Sequence, residues 1–228
     1  MRIHADFTKL IIITPDDYEW IKSPGGEVNR MMLDRIGEEQ ARATSLVEFA
    51  PNSQFPEHKH PLGEEVLVLS GVFTEDKEQH YPTGWYMRNQ HQSVHQVSSE
   101  RGCRIFVKLM QMTEDELEPT RINTLDSTNW VSTLDRYICP LYESKIEKTF
   151  LEKLDANQNF SETLEQDVEI FIIEGELCSD SNFYPTGSWL RIPQKSNLQL
   201  CATALGATIY IKSGHLQHAM NVWSNEAR

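Results

Sequence analysis

The residues best suited to chemistry lie between His58 and Gly71. His58 and His60 stand two apart, so on an extended strand both imidazoles point to one face. Pro61-Leu62-Gly63 reads as a tight turn. Glu64 follows it at the head of an apolar run, Val66-Leu67-Val68-Leu69, that closes at Gly71. Two imidazoles and a carboxylate aimed at one point make most of a first-row metal site. The fourth ligand must come from elsewhere, and His95 is the candidate. A His-x-His pair alone is weak evidence in a chain with eight histidines, because such pairs also occur by chance on solvated surface. The weight rests on the whole string: His-x-His, a carboxylate four residues on and a glycine seven after that.

Glu65 is the rival of Glu64. Successive strand residues face opposite ways, so only one can join the imidazoles, and the spacing favours Glu64. Three neutral imidazoles and one carboxylate around a divalent ion leave a net charge of about +1. Such a centre attracts an anionic or enolisable small molecule. His91, four residues before His95, and Tyr86 are read as groups that support the ligands or line the pocket. Trp85, Met87, Phe55, Met110 and Met112 could supply its apolar wall.

The elements that position these groups read as strands. Leu10–Ile13, Val28–Leu33, Ala43–Phe49 and the His58 segment are apolar or alternating. Gly and Pro punctuate them, and no long helical periodicity appears. The pattern predicts an all-β sandwich or barrel. Val66–Leu69 has no polar face, so this strand must be covered on both sides. A homodimer, or an intramolecular pairing that mimics one, would supply the second cover.

The chain also repeats itself. Tyr81-Pro82-Thr83-Gly84 recurs 103 residues later as Tyr184-Pro185-Thr186-Gly187. Gly71 matches Gly175, Arg88 matches Arg191, and Phe106-Val107-Lys108 matches Tyr210-Ile211-Lys212. Two copies of one β module follow, with domains at 1–118 and 119–228 joined in the acidic stretch Thr113–Thr120. The second copy lacks the chemistry. His58 and His60 fall opposite Thr163 and Glu165, and His95 opposite Leu198. Glu64 falls on Val168 or Glu169, depending on the position of a one-residue gap. Glu165 and Glu169 then read as surface charges. Features kept in both copies (Gly71, the Tyr-Pro-Thr-Gly turn, Arg88) are structural; those confined to the first (His58, His60, Glu64, His91, His95) are functional.

Composition narrows the classes. Thirty-four acidic against 21 basic residues give a net charge of -13, which argues against direct binding of nucleic acid or an anionic membrane. The four cysteines, Cys103, Cys139, Cys178 and Cys201, are scattered with no Cys-x-x-Cys, so free thiols are expected rather than a redox pair. No apolar run suits a leader or a membrane span, and the expected compartment is the cytoplasm.

The string His58-Lys59-His60, Glu64 and Gly71, followed by the Tyr81–Gly84 turn and His95, resembles the two motifs of the cupin superfamily. More closely, Phe55–His60, Gly63–Leu69, Tyr81–Gly84 and Gly102–Lys108 resemble the ChrR-type cupin, the C-terminal module of the ChrR anti-sigma factors. The resemblance covers roughly Arg2–Met112 and implies jelly-roll cupins, here two in tandem. It implies a zinc-type site on His58, His60, Glu64 and His95. ChrR proteins also carry a helical N-terminal domain with its own His/Cys zinc site. This chain has no His-x-x-x-Cys-x-x-Cys and no such segment, so sigma-factor capture is not expected. Two functions follow. One is a zinc-bearing sensing or regulatory module in a transcriptional stress response. The other is an Fe(II)-dependent dioxygenase like the acetylacetone-cleaving cupins. The same four side chains suit Zn, Fe(II), Mn(II) or Ni(II).

Overall fold

The computed structural model describes residues 1–23, 28–38, 40–133, 136–160 and 166–223. Short apolar segments between turn residues form strands throughout. The chain runs through β1 (Arg2–Ile3), β2 (Ile11–Ile13), β3 (Trp20–Lys22), β4 (Val28–Gly37), β5 (Ala41–Phe49), β6 (Ser53–His60) and β7 (Glu64–Glu75). It continues through β8 (Gln79–Pro82), β9 (Trp85–Asn89), β10 (Ser93–Ser99), β11 (Cys103–Leu109) and β12 (Thr120–Asn123). Then come β13 (Val131–Ser132), β14 (Tyr137–Glu143), β15 (Lys148–Leu154), β16 (Val168–Ser179), β17 (Asn182–Pro185), β18 (Trp189–Ile192) and β19 (Cys201–Ser213). One α-helix, α1 (His215–Trp223), is found among the described residues. The protein is all-β, as its alternation requires.

Two compact units form: Met1–Ala5 with Glu19–Asp126, and Asp6–Tyr18 with the chain from Ser127 on. A cut at 118/119 differs from this in two places. β12 pairs with β9 in the first unit, and β2 pairs with β18 in the second. Each satisfies backbone groups of its neighbour that would otherwise lie unpaired at a sheet edge.

In the first unit the strand order is β1-β4-β5-β11-β7-β10-β6, with β9 and β12 beyond β7. β7 serves two ladders. Its start pairs with β11 and β9, and its end with β8 and β10. Gly71 lies between the two, at φ +76°, where a Cβ would sit 2.0 Å from the Gly102 carbonyl oxygen. The second unit repeats this in β13-β14-β15-β19-β16-β18-β2. There Gly175, at φ +78°, would place a Cβ 2.1 Å from the Gly206 oxygen. Only glycine fits such a position.

The repeat extends to single hydrogen bonds. Thr83 N donates to Gly71 O at 3.0 Å and Gly84 N to Val68 O at 2.8 Å. Thr186 N donates to Gly175 O and Gly187 N to Ile172 O at the same two distances. Register also places the one-residue gap. Glu65 stands opposite Lys108 and Arg88, as Glu169 stands opposite Lys212 and Arg191. Glu65 therefore corresponds to Glu169, and Glu64 to Val168.

Each unit has its own core. Val66, Val68, Phe73, Met87, Val97 and Ile105 pack together in the first. Val168, Ile170, Ile172, Leu190, Ile192 and Ile209 do so in the second. On β7, Val66, Leu67 and Val68 are each no more than 2% exposed.

Candidate metal centre

β6 and β10 are antiparallel, with His58 opposite His95 and His60 opposite Ser93. Lys59, between the two histidines, is exposed, and His58 and His60, two apart on the strand, share the inner face. The turn after His60 is held by Gly63 N donating to His60 O at 3.2 Å. It delivers Glu64 to the first position of β7, against the same rings. His60 Nε2 and His95 Nε2 lie 2.8 Å apart. Glu64 Oε2 is 3.6 Å from the first and 3.5 Å from the second. His58 completes the group: a ring nitrogen from each of His58, His60 and His95 lies within 4.8 Å of the others.

These separations fit a metal. Donors about 2.1 Å from one ion lie about 3.0 Å apart at right angles and about 3.4 Å apart in a tetrahedron. The ring orientations fit as well. His58 Nδ1 is 2.9 Å from Pro56 O, and His95 Nδ1 is 2.8 Å from Glu75 Oε1. A proton on each Nδ1 donates to those oxygens and leaves the Nε2 lone pair facing the site.

Electrostatics favour the ligating forms of three of the four. Burial pushes His60 and His58 below the usual imidazole value, and for His60 this outweighs the pull of Glu64. Burial would raise Glu64, but His60, His95 and a hydrogen bond from Asn89 outweigh it and hold the carboxylate below its ordinary value. For His95 burial opposes the charged ring, yet Glu75 and Glu64 prevail and raise it. All four residues lie in the first unit.

A second layer was not legible in the sequence. Glu75, buried at the end of β7, accepts from His95, from Asn89 Nδ2 at 2.9 Å and from Arg121 at 3.0 Å. Asn89 also donates to Glu64 at 3.1 Å. Arg121, on β12, contacts Asn89 Oδ1 at 2.5 Å. The internal comparison held a signal for two of these. By register Glu75 corresponds to Ser179 and Asn89 to Ile192, so both are confined to the first copy.

The remaining expectations sort clearly. Glu65 faces away from the imidazoles, accepting from Tyr86 OH at 3.0 Å and Arg88 at 3.1 Å. Tyr86, fully buried, is thus on the opposite face and lines no pocket at the ligands. His91 accepts from Leu62 N at 3.0 Å and so braces the Pro61–Gly63 turn. Phe55 and Met110 line the cavity described below; Trp85, Met87 and Met112 do not. Arg88 does form ion pairs, with Glu65 and Glu116.

The cavity, about 660 Å³, opens directly on His58, His60 and Glu64. Its walls include Val47, Phe55, Phe73, Val97, Val107 and Met110. Three cationic side chains also line it, Arg30, Arg35 and Lys59, together with the carboxylate of Glu38. Arg30 lies over the Phe55 ring, 5.8 Å from its centroid.

In the second unit the corresponding space is apolar. Val168 stands for Glu64 and Ile192 for Asn89, and both lie in its core with Leu198 packed against it. Among the described residues no metal-type group of His, Cys, Asp and Glu occurs there. Thr163 and Glu165 lie outside the described residues. Glu169 is not a surface charge: it is fully buried, bonded to Trp189 Nε1 at 2.8 Å and His215 Nε2 at 3.0 Å. His215 opens α1, and its ring thereby reaches this strand.

Comparison with known proteins agrees with this geometry. Residues 8–113 match the family described as the ChrR Cupin-like domain. That ChrR cupin-like stretch carries all four candidate ligands as well as Glu75 and Asn89. Solved structures extend the likeness to the whole fold. A candidate dioxygenase from Nostoc punctiforme superposes at TM-score 0.71 with 13% identity, covering 90% of this chain and 82% of its own. Ylba from E. coli gives 0.67 at 15% identity, covering 91% and 92%. The pirin YhhW of Escherichia coli, solved with nickel(II), gives 0.66 at 9%, covering 90% and 98%. At such identities the likeness establishes the fold alone, which is the cupin jelly roll. A comparison with curated protein sequences finds no match. No helix among the described residues is long and apolar enough to cross a membrane.

Proposed function

We propose that the first unit holds one divalent metal on His58, His60, Glu64 and His95 and presents it to a small organic anion. The observation that carries this reading is the cavity. Three of the four side chains form part of its wall, and the rest is mostly apolar with Arg30 and Arg35 set into it. A purely structural metal would be enclosed by protein on all sides, whereas a functional one keeps a side open. A bound metal would supply a Lewis acid and, if redox-active, an electron relay.

The protein's own groups do the rest. Glu75 and Pro56 O fix two of the imidazoles, and Asn89 steadies Glu64. The apolar walls exclude water and take the body of the ligand. Arg30 and Arg35 stand out in a chain of net charge -13, and a carboxylate or enolate end of the ligand is the natural partner of a guanidinium.

Two uses fit this arrangement. Fe(II)-dependent oxygenation suits a dry cavity beside the open face of the centre. Zinc-dependent sensing suits the ChrR cupin-like resemblance and needs the same pocket. Metal content after native purification, followed by oxygen consumption of Fe(II)-loaded and Zn(II)-loaded protein with β-dicarbonyl compounds, separates them. Turnover with Fe(II) alone that disappears in His60→Ala supports the oxygenase. Zinc at one per chain, with ligand binding and no turnover on either metal, supports the sensor. A chain that retains no metal would overturn both.

A further inference from the structure

Two of the four cysteines, 23 residues apart in sequence, meet in the second unit. Cys178 on β16 and Cys201 on β19 are directly opposed in an antiparallel pair, with their sulfurs 2.9 Å apart. Both are partly exposed, whereas Cys103 and Cys139 are buried. We propose that Cys178 and Cys201 are a reversible intrachain disulfide site, closed by a peroxide and reopened by a dithiol.

The backbone already meets the requirement. Opposed residues of antiparallel strands have Cα atoms about 4.5–5.5 Å apart, inside the range of about 4.4–6.8 Å that a disulfide spans. Closing the sulfurs to about 2.05 Å needs a movement of about 1 Å, within reach of side-chain rotation.

The repeat supplies an independent argument. In the first unit the same opposed positions are Thr74 on β7 and Ser98 on β10. The fold therefore accepts hydroxyl side chains here and does not require sulfur. Both members differ from the first copy in the same way, which is the pattern of a paired chemistry. The strands are also irregular at this point. Pairing jumps from Gly175 with Ala207 to Leu177 with Ala202, so the outer end of β19 is held to β16 by only a short run. A covalent tie there would fasten that end.

The chemistry balances with a peroxide as oxidant. The Cys178 thiol is pushed up to about 11, chiefly by its hydrogen bond with Cys201, with burial second. Either sulfur can donate in that contact, and the one that loses its proton first is the nucleophile. With Cys201 acting first, its thiolate attacks one peroxide oxygen; the S–O bond forms, the O–O bond breaks, and hydroxide leaves to become water. Cys178 then attacks the sulfenic sulfur; the S–S bond forms, the S–O bond breaks, and a second water leaves with the Cys178 proton. With Cys178 first, the roles exchange. Two electrons pass from the sulfurs to the peroxide. A dithiol such as dithiothreitol reverses the bond by exchange.

The test uses the full chain, purified under reductant and then treated with hydrogen peroxide. Intact mass is expected to fall by 2 Da, and denaturing thiol titration to fall from four free thiols to two. A Cys178–Cys201 linked peptide should appear in the digest, and dithiothreitol should restore the mass. Cys178→Ser and Cys201→Ser, each checked for an unchanged circular dichroism spectrum, should lose the 2 Da change. No mass change, irreversible gains of 32 Da on either cysteine, or covalent dimers through them in place of the internal link would each overturn the proposal.

Discussion

At the residue scale, four side chains converge because strand alternation and one turn place them. That is why His58, His60 and Glu64 could be named from strand alternation and a turn, while His95 was named through the resemblance to the cupin motifs and its absence from the second copy. Glu75 and Asn89 left only the signal of being confined to the first copy, and Arg121 left none, because its strand β12 joins the site through a pairing with β9 that spacing does not reveal. The meeting of Cys178 and Cys201 is likewise hidden, because it depends on register. His60→Ala should reduce bound metal to below about a tenth of one per chain, since it removes a central donor. Glu65→Gln should leave metal content unchanged, because Glu65 faces Tyr86 and Arg88 instead. Elemental analysis of the two purified variants checks both; equal metal in both would overturn the assignment of faces. Glu75→Gln should weaken metal binding by about 10–100-fold while leaving every donor in place, as losing the carboxylate that orients a ligating imidazole does. Competition with a chelator of known affinity measures this, and an unaltered affinity would show that Glu75 does not set the His95 ring.

At the element scale, the twelve-residue strands β7 and β16 are the spine of each unit. The apolar run of β7 made it legible as a strand buried on both sides, but only register shows how β7 and β16 each serve two ladders. Gly71 and Gly175 mark the change of partner. Each has a positive φ and a backbone carbonyl where a Cβ would go. Gly71→Ala and Gly175→Ala should therefore each cost about 3 kcal/mol, combining backbone strain with a clash that no side-chain rotation relieves. Chemical denaturation of both variants checks this. The two should be destabilised to a similar extent, although only one lies in the metal-bearing unit. A Gly71→Ala protein as stable as the parent would mean that the chain can relax at the Gly102 contact.

At the scale of the whole molecule, the repeat read from turns and strands is present, but its boundary is not where composition places it. The acidic stretch Thr113–Thr120 looks like a linker because it is polar. Yet β12 follows it and returns to pair with β9, bringing Arg121 to Glu75. At the other end, β2 lies in sequence between β1 and β3 of the first unit but pairs with β18. With it Asp6 O accepts from Arg191 at 3.0 Å, Phe7 lies under the same guanidinium, and Tyr18 donates to Gly187 O. Ile11–Ile13 are apolar, as a strand of either module would be, so sequence could not say which edge they join. A chain cut at 118/119 should therefore leave two faulty pieces. The piece 119–228 lacks the strand that covers β18, and the piece 1–118 lacks the strand that covers β9. Expressed alone, 119–228 should melt without a cooperative transition and bind a dye specific for exposed apolar surface. Adding a synthetic peptide spanning residues 6–18 should restore a cooperative melt, and the same peptide with Ile12 and Ile13 changed to Asp should not. A sharp melt of 119–228 without the peptide would mean that the second unit closes its own edge, and that the early strand is dispensable to it.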